Sequence, residues 1–250
     1  MKILLSNDDG YQAPGLLSLA KHLGEIADIT VVAPAADRSC ASSSLSVRQP
    51  IAVHRVDPNV YYVEGTPGDC VHLALNGVLD FQPDMVVTGI NAGSNLGDDV
   101  IYSGTVAAAI EGRYLGLPAI AMSLCGESLE HYSTAAEVAC SLVRHLEKAP
   151  LPVDSILNVN VPDIPGGQLE GIVTTRCGAR HPSQPSFLLD EKDRVARYQI
   201  GPSGKSADDG PGTDFAAIAA NKVSVTPLQI DMTRYSRLPD LAHWIDTLTL

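Results

Sequence analysis

The sequence predicts an α/β fold, a mostly parallel sheet with helices on both faces, and two observations carry that prediction. The runs Ile3–Leu5, ITVVAP, MVVTGI and AIAMSL are apolar without alternation, as strands buried on both faces are. Between them lie segments whose apolar residues recur at helical spacing, and strands that alternate with helices build a parallel sheet covered on both sides.

In chain order, residues 2–6 read as the first strand. Pro14 stands at a favourable first-turn position, Leu16, Leu17, Leu19, Ala20 and Leu23 follow at helical spacing, and Gly24 is the stop. Residues 29–34 form the second strand, with two short strands at about 51–56 and 60–64 and a helix near 68–78 after it. A strand at 85–90, a helix at 105–116 and a strand at 119–124 come next. A long helix at about 129–147, ended by Pro150, precedes the strand 156–162. From 163 to 215 Gly, Pro, Ser and Asp are frequent, with strand-like pieces at 170–176 and 196–200. This stretch reads as a looser subdomain or an arm used in oligomer contacts. Residues 222–230 return to a strand and 238–248 form a short terminal helix. The expected organisation is therefore a core over 1–162 and a C-terminal part over 163–250 that sends the 222–230 strand back to the core.

Of 250 residues, 45% are hydrophobic and 18% charged, which is the range of a globular protein. The 17 Lys and Arg against 29 Asp and Glu give a net charge of −12, a surface that repels nucleic-acid backbones, so duplex binding is not expected. An anionic substrate would need a local source of positive charge. The five cysteines (40, 70, 125, 140, 177) are scattered without zinc spacing, which fits a reduced, intracellular chain. Met1-Lys2 runs directly into a strand and no apolar stretch approaches the ~20 residues of a membrane span, so a cytoplasmic protein is expected, with no membrane partner.

In an open α/β sheet, ligands bind beyond the carboxyl ends of the strands. The first strand delivers Asn7-Asp8-Asp9-Gly10, the second delivers APAADRSCASSSLS with Ser39 near its middle, and the strand at 85–90 delivers GINAGSNLGDD with Asn91 and Asn95. Two carboxylates, a hydroxyl and an amide carbonyl are hard oxygen ligands suited to Mg²⁺, Mn²⁺ or Ca²⁺. The competing reading, in which Asp8 and Asp9 only cap the first helix, needs one aspartate and leaves the Asn- and Gly-rich loop at 89–98 unexplained. Ser103, Gly104 and Thr105 lie where a helix begins, either as an ordinary cap or as an anion site made of free N–H groups and hydroxyls. Beside a metal, that site could hold a phosphate without Arg or Lys.

Other patterns are set aside. GPSGKS (201–206) has Gln199 where a phosphate loop needs glycine, no GxGxxG follows the first strand, and no GxSxG is present. Cys70 in GTPGDC reads as a small buried residue rather than an activated thiol, and His181 in RCGARHP as structural or interfacial. Two function classes remain. One is a metal-dependent phosphohydrolase in which Asp8 or Asp9 orients the attacking water or takes its proton. In that class Asn95 and the 103–105 turn would stabilise charge on the phosphoryl oxygens. The other is a phospho-receiver-like signalling module, which needs an aspartate at the end of its third strand, where this chain reads VVTGIN.

The segments ILLSNDDGYQAPG, DRSCASSS, EGTPGDC, TGINAGSNLGDDVIYSGTVAAAIEGR, LNVNVP, TRCGARHPS, GPGTDF and VSVTPL together resemble the SurE family of stationary-phase survival proteins, from residue 2 to about 232. The resemblance implies a Rossmann-like main domain with a smaller C-terminal part used in oligomerisation. It implies a 5′/3′-nucleotidase that releases phosphate from nucleoside monophosphates, with some activity on short polyphosphate. One divalent metal ion per subunit, Mg²⁺ or Mn²⁺, would be held at the positions matching Asp8, Asp9, Ser39 and Asn91, with the phosphate lined by Asn95, Ser103, Gly104 and Thr105. Homodimers or homotetramers would form by exchanging C-terminal elements, here from 180–210 and from about 228 onward. The serine loop departs from the family pattern, since Cys40 and Ser43 stand where that pattern has Gly and Asn. Cys40 lacks glycine's conformational freedom, and Ser43 is shorter than Asn.

Overall fold

The computed structural model describes residues 1–248. In chain order the elements are β1 (Lys2–Ser6), α1 (Pro14–Leu23), β2 (Asp28–Pro34), β3 (Val53–Asp57), β4 (Val60–Val63), α2 (Pro67–Leu73), β5 (Met85–Ala92), α3 (Gly104–Glu111), β6 (Ala119–Cys125), α4 (Tyr132–Lys148) and β7 (Ile156–Pro162). The C-terminal part adds β8 (Ile172–Thr174), β9 (Ala179–Arg180), β10 (Phe187–Lys192), β11 (Val195–Gln199), β12 (Ser206–Asp208), α5 (Asp214–Ala219), β13 (Val223–Leu228) and α6 (Leu238–Asp246).

Nine strands make the main sheet in the order β3-β4-β2-β1-β5-β6-β7-β13-β8. From β4 to β7 every neighbouring pair is parallel, and β3 and β13 are the antiparallel additions. The chain winds to β2 on one side of β1 and to β5 on the other, so the order reverses at β1/β5 and opens a crevice at their carboxyl ends. Alternation decides the layers. Ile3 and Leu5 meet Leu16, Leu19 and Leu23 of α1 and Val138 and Val143 of α4 on one face. On the other, Leu4, Val32 and Val86 meet Cys70 and Val71 of α2 and Val106 and Ala109 of α3. Cys70 is fully buried, as a small core residue would be. Among the described residues no helix is long and apolar enough to cross a membrane.

Several element ends differ from the sequence expectation. The helix expected at 68–78 is regular only to Leu73 and widens over Ala74–Val78 into a turn of π geometry. The helix expected at 105–116 stops at Glu111 with Gly112 as its cap, at a position so close to β5 that a side-chain carbon there would sit 2.4 Å from Val86. The helix expected from 129 starts at Tyr132, since Leu129 has a φ of 51° and Asp163 takes the N–H groups of Glu130 and His131. The sequence reading missed the antiparallel pairing of β10 with β11 within 163–215, and α5, which begins at the end of that stretch.

Thr213 caps α5 through the Ala216 N–H, and Asp214 sets where that short helix sits. Asp214 is fully buried and accepts N–H bonds from Gly97 (2.7 Å), Gly178 (2.8 Å) and Phe215 (2.9 Å), which ties α5 to two distant loops. Asp214→Ala strands those donors, and a loss of about 3 kcal/mol of stability is expected. Urea unfolding checks it, and an unchanged midpoint would remove Asp214 as an anchor. By contrast, every residue from His181 to Ile200 and from Gln229 to Leu248 is exposed, including Phe187, Tyr198, Leu241 and Trp244.

Candidate active site

The acidic turn is shaped by its own asparagine and glycine. Asn7 Nδ2 donates to the Gly10 carbonyl at 2.9 Å, and the Gly10 N–H returns to Asn7 Oδ1 at 3.2 Å. Gly10 has a φ of +105°, a region that favours glycine, which is why the aspartate pair is followed by one. The turn is docked on the segment after β2 by Arg38 N–H to the Asp8 carbonyl (2.7 Å) and Tyr11 N–H to the Pro34 carbonyl (2.9 Å).

Register brings the other loops to it, because Ser6 pairs with Thr88 and the chain of β5 then runs on beside Asp8 and Asp9. Asp8 is 4% exposed, and its Oδ1 accepts the Thr105 hydroxyl at 2.5 Å. The start of α3 closes against the same carboxylate. A side-chain carbon on Gly104 would lie 2.8 Å from Asp8 Cβ and 2.9 Å from Asp8 Oδ2. Asp9 Oδ2 accepts the Ala92 N–H at 3.1 Å. Ser103 caps α3 through Val106 N–H at 3.1 Å. Ser103, Gly104 and Thr105 therefore form one end of a helix whose inner side faces Asp8.

The serine loop is held at several points. Ser39 donates both its N–H (2.7 Å) and its hydroxyl (2.6 Å) to Asp37 Oδ1. Ser42 reaches the Ile101 carbonyl at 2.8 Å, and Thr66 holds the Ser44 carbonyl at 2.7 Å. Cys40 has a φ of 61°, so the backbone takes a left-handed conformation at this position without glycine. Such a conformation costs a non-glycine residue roughly 1–2 kcal/mol, and the anchored loop carries that strain. Asn91 donates from Nδ2 to the Gly93 carbonyl at 2.8 Å, and no donor among the described residues bonds its Oδ1. Asn95 is 6% exposed, with its amide turned to Ser123 Oγ at 2.7 Å. It lies in a buried network rather than in contact with either aspartate.

No ion pair among the described residues involves Asp8 or Asp9. Burial pushes the Asp8 carboxyl above its ordinary pKa against the opposing pull of Thr105. Burial first, and then the charge of Asp8, push Asp9 up to about 6. Asp37 adds repulsion to both, and its own pKa is lowered by the Ser39 hydroxyl. Sequence reasoning passed over Asp37, whose only signal was its place two residues before Ser39.

Asp8 Oδ2 and Asp9 Oδ1 take no protein hydrogen bond among the described residues, and no third His, Cys, Asp or Glu joins them in a metal-binding group. Two uncompensated carboxylates completed by neutral oxygens fit a hard divalent cation. A testable sign follows. Because the folded pKa of Asp9 is raised, its contribution to the metal-free fold is full below the ordinary carboxylate pKa and is lost as pH rises through about 6. Mg²⁺ should therefore raise the melting temperature at pH 7.5 by a few degrees, on the order of 1 kcal/mol after solvent screening, and leave pH 4.5 almost unmoved. Melts with Mg²⁺ and with chelator check this, and equal shifts at both pH values would contradict it.

Comparison with known proteins matches this arrangement to one family. The family described as "Survival protein SurE" matches residues 3–184. "5'-nucleotidase SurE" of Halorhodospira halophila is 55% identical over 250 residues, covering 100% of each chain. That of Alkalilimnicola ehrlichii is 56% identical over 248 residues, covering 99% of this chain and 96% of the relative. The crystal structure of the SurE protein from Aquifex aeolicus superposes with a TM-score of 0.87 at 37% identity, over 98% of this chain and 100% of that one. With its acidic turn, serine loop and GINAGSN loop gathered at the sheet's switch point, the chain belongs to the SurE family.

Proposed function

We propose that the chain is a divalent-metal-dependent phosphomonoesterase acting on nucleoside 5′- and 3′-monophosphates, with short polyphosphate as a further substrate. One observation carries the reading: an unpaired carboxylate pair at the switch point, closed against the start of α3, in a chain 55% identical over its whole length to a 5'-nucleotidase SurE. No observation favours the phospho-receiver reading, since β5 ends at Asn91-Ala92 and not at an aspartate.

Asp8, Asp9, Ser39 and Asn91 are the residues that would hold one Mg²⁺ or Mn²⁺. Such an ion supplies positive charge opposite the phosphoryl group and acidifies water there. Asp8 is fixed by Thr105, which leaves its second oxygen for the cation. Asp9 is held by one backbone bond and is the more exposed of the two, which suits it to orient the attacking water and take its proton. Asp37 accepts the hydrogen bond of the Ser39 hydroxyl and so turns the hydroxyl lone pairs away from itself. The Gly104 and Thr105 peptides, the Ser103 hydroxyl and Asn95 form the phosphate side.

The exposed β10–β11 hairpin and α6 carry apolar faces without a core, which supports exchange of C-terminal elements in a homodimer or homotetramer. On this reading the chain divides into a site-bearing core at 1–162 and an oligomerising part at 163–250, of which residues 249 and 250 lie outside the described residues. Five free cysteines support a cytoplasmic setting. The test is a phosphate-release screen of the purified protein on nucleoside monophosphates, sugar phosphates and polyphosphate, with Mg²⁺, Mn²⁺ or chelator. Metal-dependent release from nucleoside monophosphates is expected, and no release under any condition would overturn the assignment.

A further inference from the structure

We propose that Asn160 of β7 is a positioning residue for the nucleotidase reaction, acting by clamping the peptide of Asn95. The inference rests on the function proposed above and adds to it a residue that touches neither metal nor phosphate.

In LNVNVP, Asn158 and Asn160 fall at alternate positions, on the face of β7 that also carries Ile156. That face packs against the α2 and α3 layer, and both asparagines are 0% exposed. An amide in such a place destabilises a core unless its polar atoms are partnered. Here almost every partner is one residue, in a loop that leaves the sheet two strands away. The Asn95 N–H donates to Asn160 Oδ1 at 2.9 Å, and Asn160 Nδ2 returns to the Asn95 carbonyl at 3.0 Å. Asn158 Nδ2 reaches the same carbonyl at 2.9 Å, and Ser123 of β6 takes the Asn95 side-chain amide at 2.7 Å.

The loop needs holding. Gly93 (φ 134°) and Gly97 (φ 54°) flank Asn95, so local backbone preference leaves its path open. Asp214 pins it at Gly97, and the asparagines pin it at its middle. The span from Asn91 to Ser103 is thereby fixed, and with it the spacing between the cation side and the phosphate side of the site. The clamp is also not built for stability alone. Among the described residues Asn158 Oδ1 is buried without a partner, and an apolar pair of similar volume would avoid that penalty.

The experiment compares Asn160→Leu, Asn160→Asp, Asn95→Ala and the double variant Asn95→Ala/Asn160→Leu on a nucleoside monophosphate with Mg²⁺. A misplaced phosphate side lowers the rate more than it weakens binding. Asn160→Leu should lose about 10²-fold in kcat with KM within about threefold, because displacements near 1 Å cost that much. Asn160→Asp keeps the acceptor for the Asn95 N–H but sets a carboxylate oxygen against the Asn95 carbonyl, and should lose at least as much. Because Asn160 bonds the Asn95 peptide, which Asn95→Ala keeps, Asn160→Leu should slow the Asn95→Ala enzyme further, and the double variant should be slower than Asn95→Ala alone. Hydrogen exchange should show protection lost at the Asn95 amide and retained in β1 and β5. If Asn160→Leu does not fold, Asn160→Ser, which removes both bonds to the Asn95 peptide with little change in polarity, is read in the same way. A lowered melting temperature with unchanged kcat, or a double variant no slower than Asn95→Ala, would overturn the inference while the nucleotidase function stands. A wild-type protein inactive on every nucleotide would overturn both.

Discussion

Asp8→Asn and Asp9→Asn should each lower metal-dependent phosphate release by at least about 10³-fold, a loss of roughly 4 kcal/mol of transition-state stabilisation, while the fold survives. The two halves of that expectation have different origins. Catalysis fails because each substitution removes one of the two carboxylates that would hold the cation, and among the described residues no third His, Cys, Asp or Glu is grouped with them to replace it. The fold survives because asparagine keeps the shape and the acceptor oxygen. At position 8 that oxygen still takes the Thr105 hydroxyl, and at position 9 the Ala92 N–H. Asp8→Asn removes a charge that pushes the Asp9 carboxyl upward, and Asp9→Asn removes the carboxyl that burial penalises, so above pH 6 the metal-free variants should melt no lower than the wild type. Their melting temperatures should no longer respond to Mg²⁺. Turnover near the wild-type level in both variants would refute the proposed chemistry, and a collapse of the fold would refute the structural half.

Gly104→Ala sets two effects of opposite sign against each other. By helix propensity alone, alanine in place of glycine at the start of α3 would favour the helix by about 0.5–1 kcal/mol. Sterically, the added carbon would lie 2.8 Å from Asp8 Cβ, 2.9 Å from Asp8 Oδ2 and 3.0 Å from Pro67 Cγ. Pro67 cannot retreat, because it opens α2, whose capping box of Thr66 and Asp69 is complete. Either Asp8 or the start of α3 must move by several tenths of an ångström, and both belong to the site. A loss of about 10²-fold in kcat with a nearly unchanged melting temperature is the expected result. Steady-state rates beside thermal melts check it. Wild-type kcat in Gly104→Ala would mean that this close approach has no part in the reaction.

The strands and their order of appearance were legible because burial on both faces leaves an unbroken apolar run, and β1, β2, β5 and β6 all lie where such runs occur. Helix ends were less legible, for reasons outside the helices. Gly112, packed close on Val86 of β5, caps the end of α3, and Asp163, beyond β7, sets the start of α4. The C-terminal part was read least well. Its exposed β10–β11 hairpin has no buried face to impose a pattern, and α5 owes its place to one buried carboxylate. Within the site, Asp8 and Asp9 stood out as charges at the end of a core strand, whereas Asp37 looked like any loop aspartate until Ser39 was seen bonded to it.

By itself the sequence determined the class of fold, the crevice edge at which the functional loops meet, and the hard-oxygen character of their side chains. Those properties follow from periodicity and residue type, which are local. Only the tertiary structure decided who partners whom. Thr105 takes Asp8 across 97 residues, and Asn160 takes Asn95 across 65. Strand order and loop path set such pairings, and nothing in the spacing of residues along the chain reports them. The aspartate pair was visible from the start, but its burial, its mutual repulsion and the helix end closed over it appear only when β1 and β5 lie side by side.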